Sequence, residues 1–79
     1  MTAAHLQTLR DAVPFRPFRI HLADGRTLHV PHRDYLSMSP SGRIVIVYRP
    51  DDTFSFVDLC LVTEIAVEPT SVAGNVEGG

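Results

Sequence analysis

The sequence lacks lysine and has a single cysteine, Cys60, among its 79 residues. A lone cysteine excludes an internal disulfide, and its place in an apolar run predicts a buried thiol in a reducing compartment. No apolar stretch approaches the length of a membrane-spanning helix, and no cationic segment followed by an apolar run begins the chain. We therefore expect a cytoplasmic protein without a membrane partner.

Basic residues are also absent after Arg49. All seven cationic side chains are arginines between Arg10 and Arg49; with three aspartates, residues 1–49 carry a net charge of +4. Residues 50–79 hold six acids and no base, for a net of −6. This polarity is typical of an anion-binding face or of subunits that join head to tail, and ordinary surface charge that serves solubility is the alternative.

The chain is short for a stable core, and it has no disulfide bond to stabilise the fold. Residues 1–69 are expected to form one small domain, stabilised by compact packing or by oligomerisation. Residues 70–79 are Gly-rich, acidic and without hydrophobic periodicity, and they are predicted to be a disordered tail.

Residues 18–30 have the alternating pattern of a β-hairpin with one apolar face. A three-residue loop, Ala23 to Gly25, with Gly25 in the left-handed region, sets Ile20 opposite Leu28 and Phe18 opposite Val30. A two-residue loop splits the apolar side chains across both faces, so the three-residue loop is preferred. The solvent face then carries Arg19, His21, Thr27 and His29.

Before the hairpin, Thr2 is a suitable N-cap for a helix over about residues 3–13, which Pro14 ends. Leu6, Leu9 and Val13 form its apolar stripe. After the hairpin, β-forming segments cover about residues 35–39, 43–49, 54–59 and 61–68. We predict a mainly β fold: an N-terminal α-helix followed by a five-stranded antiparallel, strongly bent barrel of the SH3-like or Sm-like class.

The hairpin over residues 43–59 is apolar on both faces. A two- or four-residue loop sets Ile46 opposite Val57 and Ile44 opposite Leu59. The other face then carries four further apolar side chains, which exceed what a small barrel and a short helix cover. They are the predicted oligomer interface, unless the helix of a monomer covers them: Val45, Val47, Phe54 and Phe56.

Two stretches resemble the Sm-like family, which includes the LSm proteins and the bacterial host factor Hfq. Residues 20–28 are similar to its first hairpin, and residues 59–69 are similar to its final turn and strand. The chain departs from the family at Val30-Pro31, where a bend-permitting Gly is usual, and it lacks the Lys-His pair of Hfq. It also resembles short uncharacterised bacterial proteins with Pro-Phe-Arg-Pro-Phe and Asp-Gly-Arg runs. The family resemblance implies a ring-forming barrel that binds RNA.

The clustering of arginine and histidine on and near the first hairpin supports the same function. Arginine binds phosphate bidentately, and Phe15, Phe18 and Tyr35 offer rings for base stacking. We predict a homo-oligomer that binds RNA or single-stranded nucleic acid, and the alternative is a protein–protein adaptor that uses an open strand edge. The predicted nucleic-acid-binding residues are Arg16, Arg19, His21, Arg26, His29 and Arg33.

The sequence holds no pattern that indicates catalysis. His21 and His29 lie diagonally on one strand face without a third ligand, so we predict no metal. The serines and Cys60 lack a nucleophile motif or a spaced acid–base pair. We therefore predict a protein that is not an enzyme, with no cofactor and no small-molecule substrate.

Overall fold

A short helix precedes six short strands in the computed structural model, which describes residues 2–69. The predicted disordered tail, residues 70–79, lies outside the described residues. Within them, no helix is long and apolar enough to cross a membrane. The helix is α1 (Ala3–Asp11), and the strands are β1 (Phe18–Leu22), β2 (Thr27–Val30), β3 (Leu36–Met38), β4 (Ile44–Tyr48), β5 (Phe54–Asp58) and β6 (Val62–Val67).

The strands form two three-stranded antiparallel sheets. The first has the order β2-β1-β6 and the second has the order β3-β4-β5. A mainly β fold with an N-terminal helix is thus confirmed, but the five-stranded barrel was wrong. Pro31 and a 3-10 turn at Arg33–Tyr35 follow β2. Because proline lacks an N–H donor and the turn breaks the strand pattern, β2 does not continue into the second sheet as one bent strand.

Helix α1 is shorter than predicted. Thr2 caps it, as expected, and its Oγ1 accepts a hydrogen bond from the His5 N–H at 3.3 Å. Leu6 is fully buried, but the helix ends at Asp11, and Val13 is 86% exposed. A residue that precedes proline is disfavoured in helical geometry, and this accounts for the absence of Val13 from the helix.

One arginine attaches α1 to the second sheet. The Nε of Arg10 donates to the carbonyl oxygen of Leu36 at 3.1 Å, on the side of β3 that faces away from β4. This bond satisfies the Leu36 carbonyl at the outer edge of β3, where an unpaired strand presents its backbone groups.

The first hairpin has the predicted register. Phe18 pairs with Val30 and Ile20 pairs with Leu28. Gly25 has a φ of 92°, and the Leu22 N–H donates to the Arg26 carbonyl at 2.9 Å. Left-handed geometry at Gly25 closes the three-residue loop without steric cost.

In the second hairpin the predicted register was wrong by one residue. Val45 pairs with Val57, and Ile46 pairs with Phe56. The loop has three residues rather than two or four: the Arg49 N–H donates to the Thr53 carbonyl at 2.8 Å, and Asp52 adopts a φ of 71°. Aspartate tolerates left-handed geometry better than most residues, so Asp52 takes the position that Gly25 takes in the first hairpin.

The one-residue change in register moves the predicted interface residues to different faces. Val45 and Val47 are 0% and 2% exposed and belong to the core with Val57. Phe54 and Phe56 lie on the opposite face and are 51% and 67% exposed. The prediction that these four side chains share one face was therefore wrong, because side chains alternate along each strand.

Cys60 is exposed, contrary to the prediction of a buried thiol. The apolar run around it forms a 3-10 turn, Leu59–Leu61, rather than a strand. The Oδ1 of Asp58 accepts a hydrogen bond from the Cys60 N–H at 2.9 Å and caps this turn. Leu59 points into the core and Cys60 points to solvent.

Each hairpin loop carries an aspartate whose carboxylate accepts hydrogen bonds. The Arg26 backbone N–H bonds Asp24 at 3.0 Å, and the Thr53 hydroxyl and N–H bond Asp51. These bonds hold the pKa of both carboxyls below the ordinary value of 3.8. Because the pKa is lower in the folded chain, each carboxylate contributes stability above pH about 4, which is lost as the pH falls through the folded pKa.

We therefore expect Asp51→Asn, which keeps an oxygen acceptor but loses the charge, to flatten the acid dependence of stability. The wild-type chain should lose more of its unfolding free energy than the variant between pH 5 and pH 2, as measured by urea denaturation followed by circular dichroism. Equal losses would contradict an ionised Asp51 as a source of stability.

Candidate functional site

The outer face of the first sheet carries most of the predicted nucleic-acid-binding residues. We call Arg16, Arg19, His21 and His29 the basic face. Arg19 pairs across the strands with His29 of β2 and Ala66 of β6, and His21 pairs with Thr27 and Glu64. Since residues directly opposite one another project from the same side of a sheet, these side chains are neighbours on the solvent side.

An acidic residue lies at the centre of the basic face. The Oε2 of Glu68 is 3.1 Å from Arg19 Nη1 and 3.3 Å from His29 Nε2, and this oxygen is shielded from solvent. Arg16 Nε donates to the backbone carbonyl of Glu68 at 3.2 Å. Three members of the basic face therefore converge on one residue of this chain, and Glu68 offsets much of the positive charge that a phosphate would meet.

The other two predicted residues are engaged elsewhere. Arg26 lies at the hairpin end, where its Nε donates to Asp24 at 2.9 Å. Arg33 turns toward the helix connection: its Nη2 donates to the Ala12 carbonyl at 2.9 Å, and its guanidinium lies 5.7 Å from the centre of the Phe15 ring. The six predicted residues thus do not form one continuous surface.

None of the three rings predicted to stack on bases is fully exposed: Phe15 and Tyr35 are partly buried against the core, and Phe18 belongs to it. Phe18 is fully buried between the strands that flank β1, which excludes it as a stacking platform. Phe15 is half-buried, and both Phe18 and His32 lie 5.8 Å from it, centroid to centroid. The exposed rings of this protein lie on the second sheet instead.

The outer side of the second sheet is apolar and aromatic. The rings of Phe54 and Phe56 meet edge to face at 5.5 Å, and Tyr48 lies 6.0 Å from Phe54, centroid to centroid. Ile46 pairs with Phe56 across the strands, and Ile44 is 38% exposed. The aromatic face, as we name this surface, consists of Ile44, Ile46, Tyr48, Phe54 and Phe56.

The five residues of the aromatic face are uncharged, and charged residues lie at both of its ends. Arg43 precedes β4 at one end, where Asp58 pairs with Ile44, and Asp51 and Asp52 lie in the hairpin loop at the other. The loop-end arginine, Arg49, donates hydrogen bonds to Thr53 and Ser55 within the same hairpin. An apolar centre with a polar and charged rim is the general form of a protein-binding surface.

Sequence reasoning missed the position of Glu68. Its outward parity on the last strand was a usable signal, but the pairing of β1 with β6 joins segments more than forty residues apart. Among residues 2–69, no three His, Cys, Asp or Glu side chains are placed to hold a metal ion.

Comparisons with known proteins complete the description of the site. No protein-family model, curated protein or solved structure matches this chain.

Proposed function

We propose that this protein is a non-enzymatic binding domain that self-associates through its aromatic face. The observation that carries the proposal is the exposure of two neighbouring phenylalanines, at 51% and 67%, on a sheet whose other side already supplies the core. Large, clustered apolar side chains on a small domain mark an interaction surface, because leaving them in water forgoes the free energy of their burial.

A second copy of the chain fits this surface. A twofold contact between two aromatic faces buries rings against rings and leaves the charged side chains at the ends of the contact. With the strands of the two copies running in opposite directions, the end of one copy that carries Arg43 and Asp58 lies toward the hairpin loop of the other, which carries Arg49, Asp51 and Asp52. Hydrogen bonds from Thr53 hold the pKa of Asp51 below its ordinary value.

Nucleic acid is the less favoured ligand for either surface. On the basic face, Glu68 lies within 3.3 Å of Arg19 and His29. Glu64 pairs with His21 across the strands, so two carboxylates match the two arginines. Around the aromatic face, three aspartates outnumber Arg43 and Arg49: Asp51, Asp52 and Asp58. Binding to a phosphate backbone requires a surplus of positive charge, and neither surface supplies it.

The oligomeric state tests the proposal. We expect the mass of the wild-type protein in sedimentation equilibrium to rise with concentration from 8.7 kDa toward twice that value. Phe56→Asp should remain monomeric, because it places a charge at the centre of the contact. Val13→Asp makes the same change at an apolar side chain that is 86% exposed outside the aromatic face, and it should associate like the wild type.

Three results would contradict the proposal. The first is a wild-type mass that stays at the monomer value up to millimolar concentration. The second is equal association of Phe56→Asp and Val13→Asp. The third is retention of oligo(U) that falls with added salt and with Phe56→Asp, which would identify the aromatic face as a stacking surface for single-stranded nucleic acid.

The free edge of β5 supports a second candidate, the strand-edge adaptor predicted from the sequence. Among the described strands, β5 pairs only with β4. An extended partner segment that adds to β5 would protect its backbone amides from hydrogen exchange in a mixed sample. Protection limited to α1 or β6 would count against this mode.

A further inference from the structure

A polar cavity of about 420 Å³ lies between α1 and the loop that joins β3 to β4. Its helical wall is formed by Ala3, Gln7 and Arg10, which lie on one side of α1. Its opposite wall is residues 37–42, which include three serines. The volume is within the range of small-molecule sites.

The polar groups of this cavity include several hydrogen-bond donors. Ser39 Oγ and Ser41 Oγ lie 3.2 Å apart, and each accepts a hydrogen bond from a backbone N–H of the following strand region. Since only one of these two hydroxyls donates to the other, one hydroxyl proton is left for a ligand. Ser37 and the Gln7 amide add further donors.

Arg10 supplies the positive charge. Its Nε is fixed to the Leu36 carbonyl, which orients the guanidinium beside the loop. Its Nη1 lies 3.3 Å from Asp11, an exposed carboxylate that is not part of the wall, and Nη2 remains for a ligand. The described residues that line the cavity include neither Asp nor Glu.

We propose that this cavity binds a small oxyanion, held by the Arg10 guanidinium, the serine hydroxyls and the Gln7 amide. Convergent donors with one cation and no carboxylate match the acceptor oxygens of a phosphate or carboxylate group. Arginine binds both groups through paired N–H donors, so the two ligand classes are distinguished by experiment.

Titration of ¹⁵N-labelled protein with sodium phosphate, and separately with sodium acetate, at constant low ionic strength tests the proposal. We expect saturable shifts of the backbone amides of residues 37–42 and of the Gln7 side-chain amide. Stronger binding of phosphate identifies a tetrahedral oxyanion, and stronger binding of acetate identifies a carboxylate.

Substitutions at Gln7 separate specific binding from general attraction to arginine. Gln7→Glu should weaken binding about five- to tenfold, and Gln7→Lys should strengthen it by a similar factor, because the added charge faces the ligand. Ala4→Glu makes the same change of charge on α1 outside the wall, and its affinity should match the wild type. Equal affinities for Gln7→Glu and Gln7→Lys, or shifts that spread over all the arginines without saturation, would overturn the proposal.

Discussion

Phe18→Ala is expected to lower the free energy of unfolding by about 3–5 kcal/mol, the usual cost of removing a buried phenylalanine. Phe18 is 0% exposed and lies in the central strand of the first sheet, between Val30 of β2 and Val67 of β6. Its loss leaves a cavity that Phe15, whose ring centre is 5.8 Å away, cannot fill without leaving the Arg33 contact. A domain of this size has a total stability of about 4–12 kcal/mol, so the substitution removes a large share of it.

Phe56→Ala is the matched control for that experiment, since it removes the same atoms from a side chain that is 67% exposed. We expect a loss below about 1 kcal/mol in the monomer. Urea denaturation at low micromolar concentration measures both variants without a contribution from association. A loss at Phe56 as large as that at Phe18 would show that Phe56 packs within its own subunit, and it would remove the main support for the aromatic face.

Gly42→Ala is expected to cost more than about 2 kcal/mol. Gly42 has a φ of 74°, and a Cβ built on it would lie 2.7 Å from the Cβ of Ala3. The strain of left-handed geometry costs about 1–2 kcal/mol, and the contact with α1 adds to it, because the atom in the way belongs to a helix that Arg10 fixes to β3. The variant should also alter the amide resonances of the N-terminal turn of α1.

Gly25→Ala provides the comparison, because Gly25 has a φ of 92° and no atom lies within 4 Å of the added Cβ. Only the cost of the left-handed backbone applies there. We therefore expect the free energy of unfolding to fall by about 1–2 kcal/mol and the resonances of α1 to stay unchanged. Thermal and urea unfolding of the two variants side by side give the difference. Equal losses of unfolding free energy in the two variants would mean that α1 makes no close contact with the β3–β4 loop at Gly42.

The first hairpin was predictable because parity and loop chemistry agree there. Only a three-residue loop places Phe18, Ile20, Leu28 and Val30 on one side, and Gly25 permits the left-handed position that this loop requires. In the second hairpin both faces are apolar, so the alternation of side chains along the strands does not determine the register. The choice depends on Asp52, whose left-handed backbone is one of several conformations open to aspartate.

The candidate surfaces were predicted from the same local information. The prediction failed where it depended on the pairing of strands that are far apart in the sequence. The exposure of Arg19 and His29 followed from the first hairpin alone. The approach of Glu68 depends on β6 pairing with β1, and a local pattern carries no information about which strands become neighbours. Phe54 and Phe56 were correctly expected on one face together, and only their assignment beside Val45 and Val47 failed.

The position of α1 has a consequence for uncontrolled polymerisation. A sheet with two unpaired edge strands can add copies on both sides and grow into a fibril, whereas a sheet with one unpaired edge strand cannot. In the second sheet Arg10 of α1 occupies the Leu36 carbonyl at the edge of β3, whereas β5 pairs with no described strand on its outer side. When two copies pair through β5, the unpaired edge of each copy is used, so growth through this sheet stops at a closed dimer.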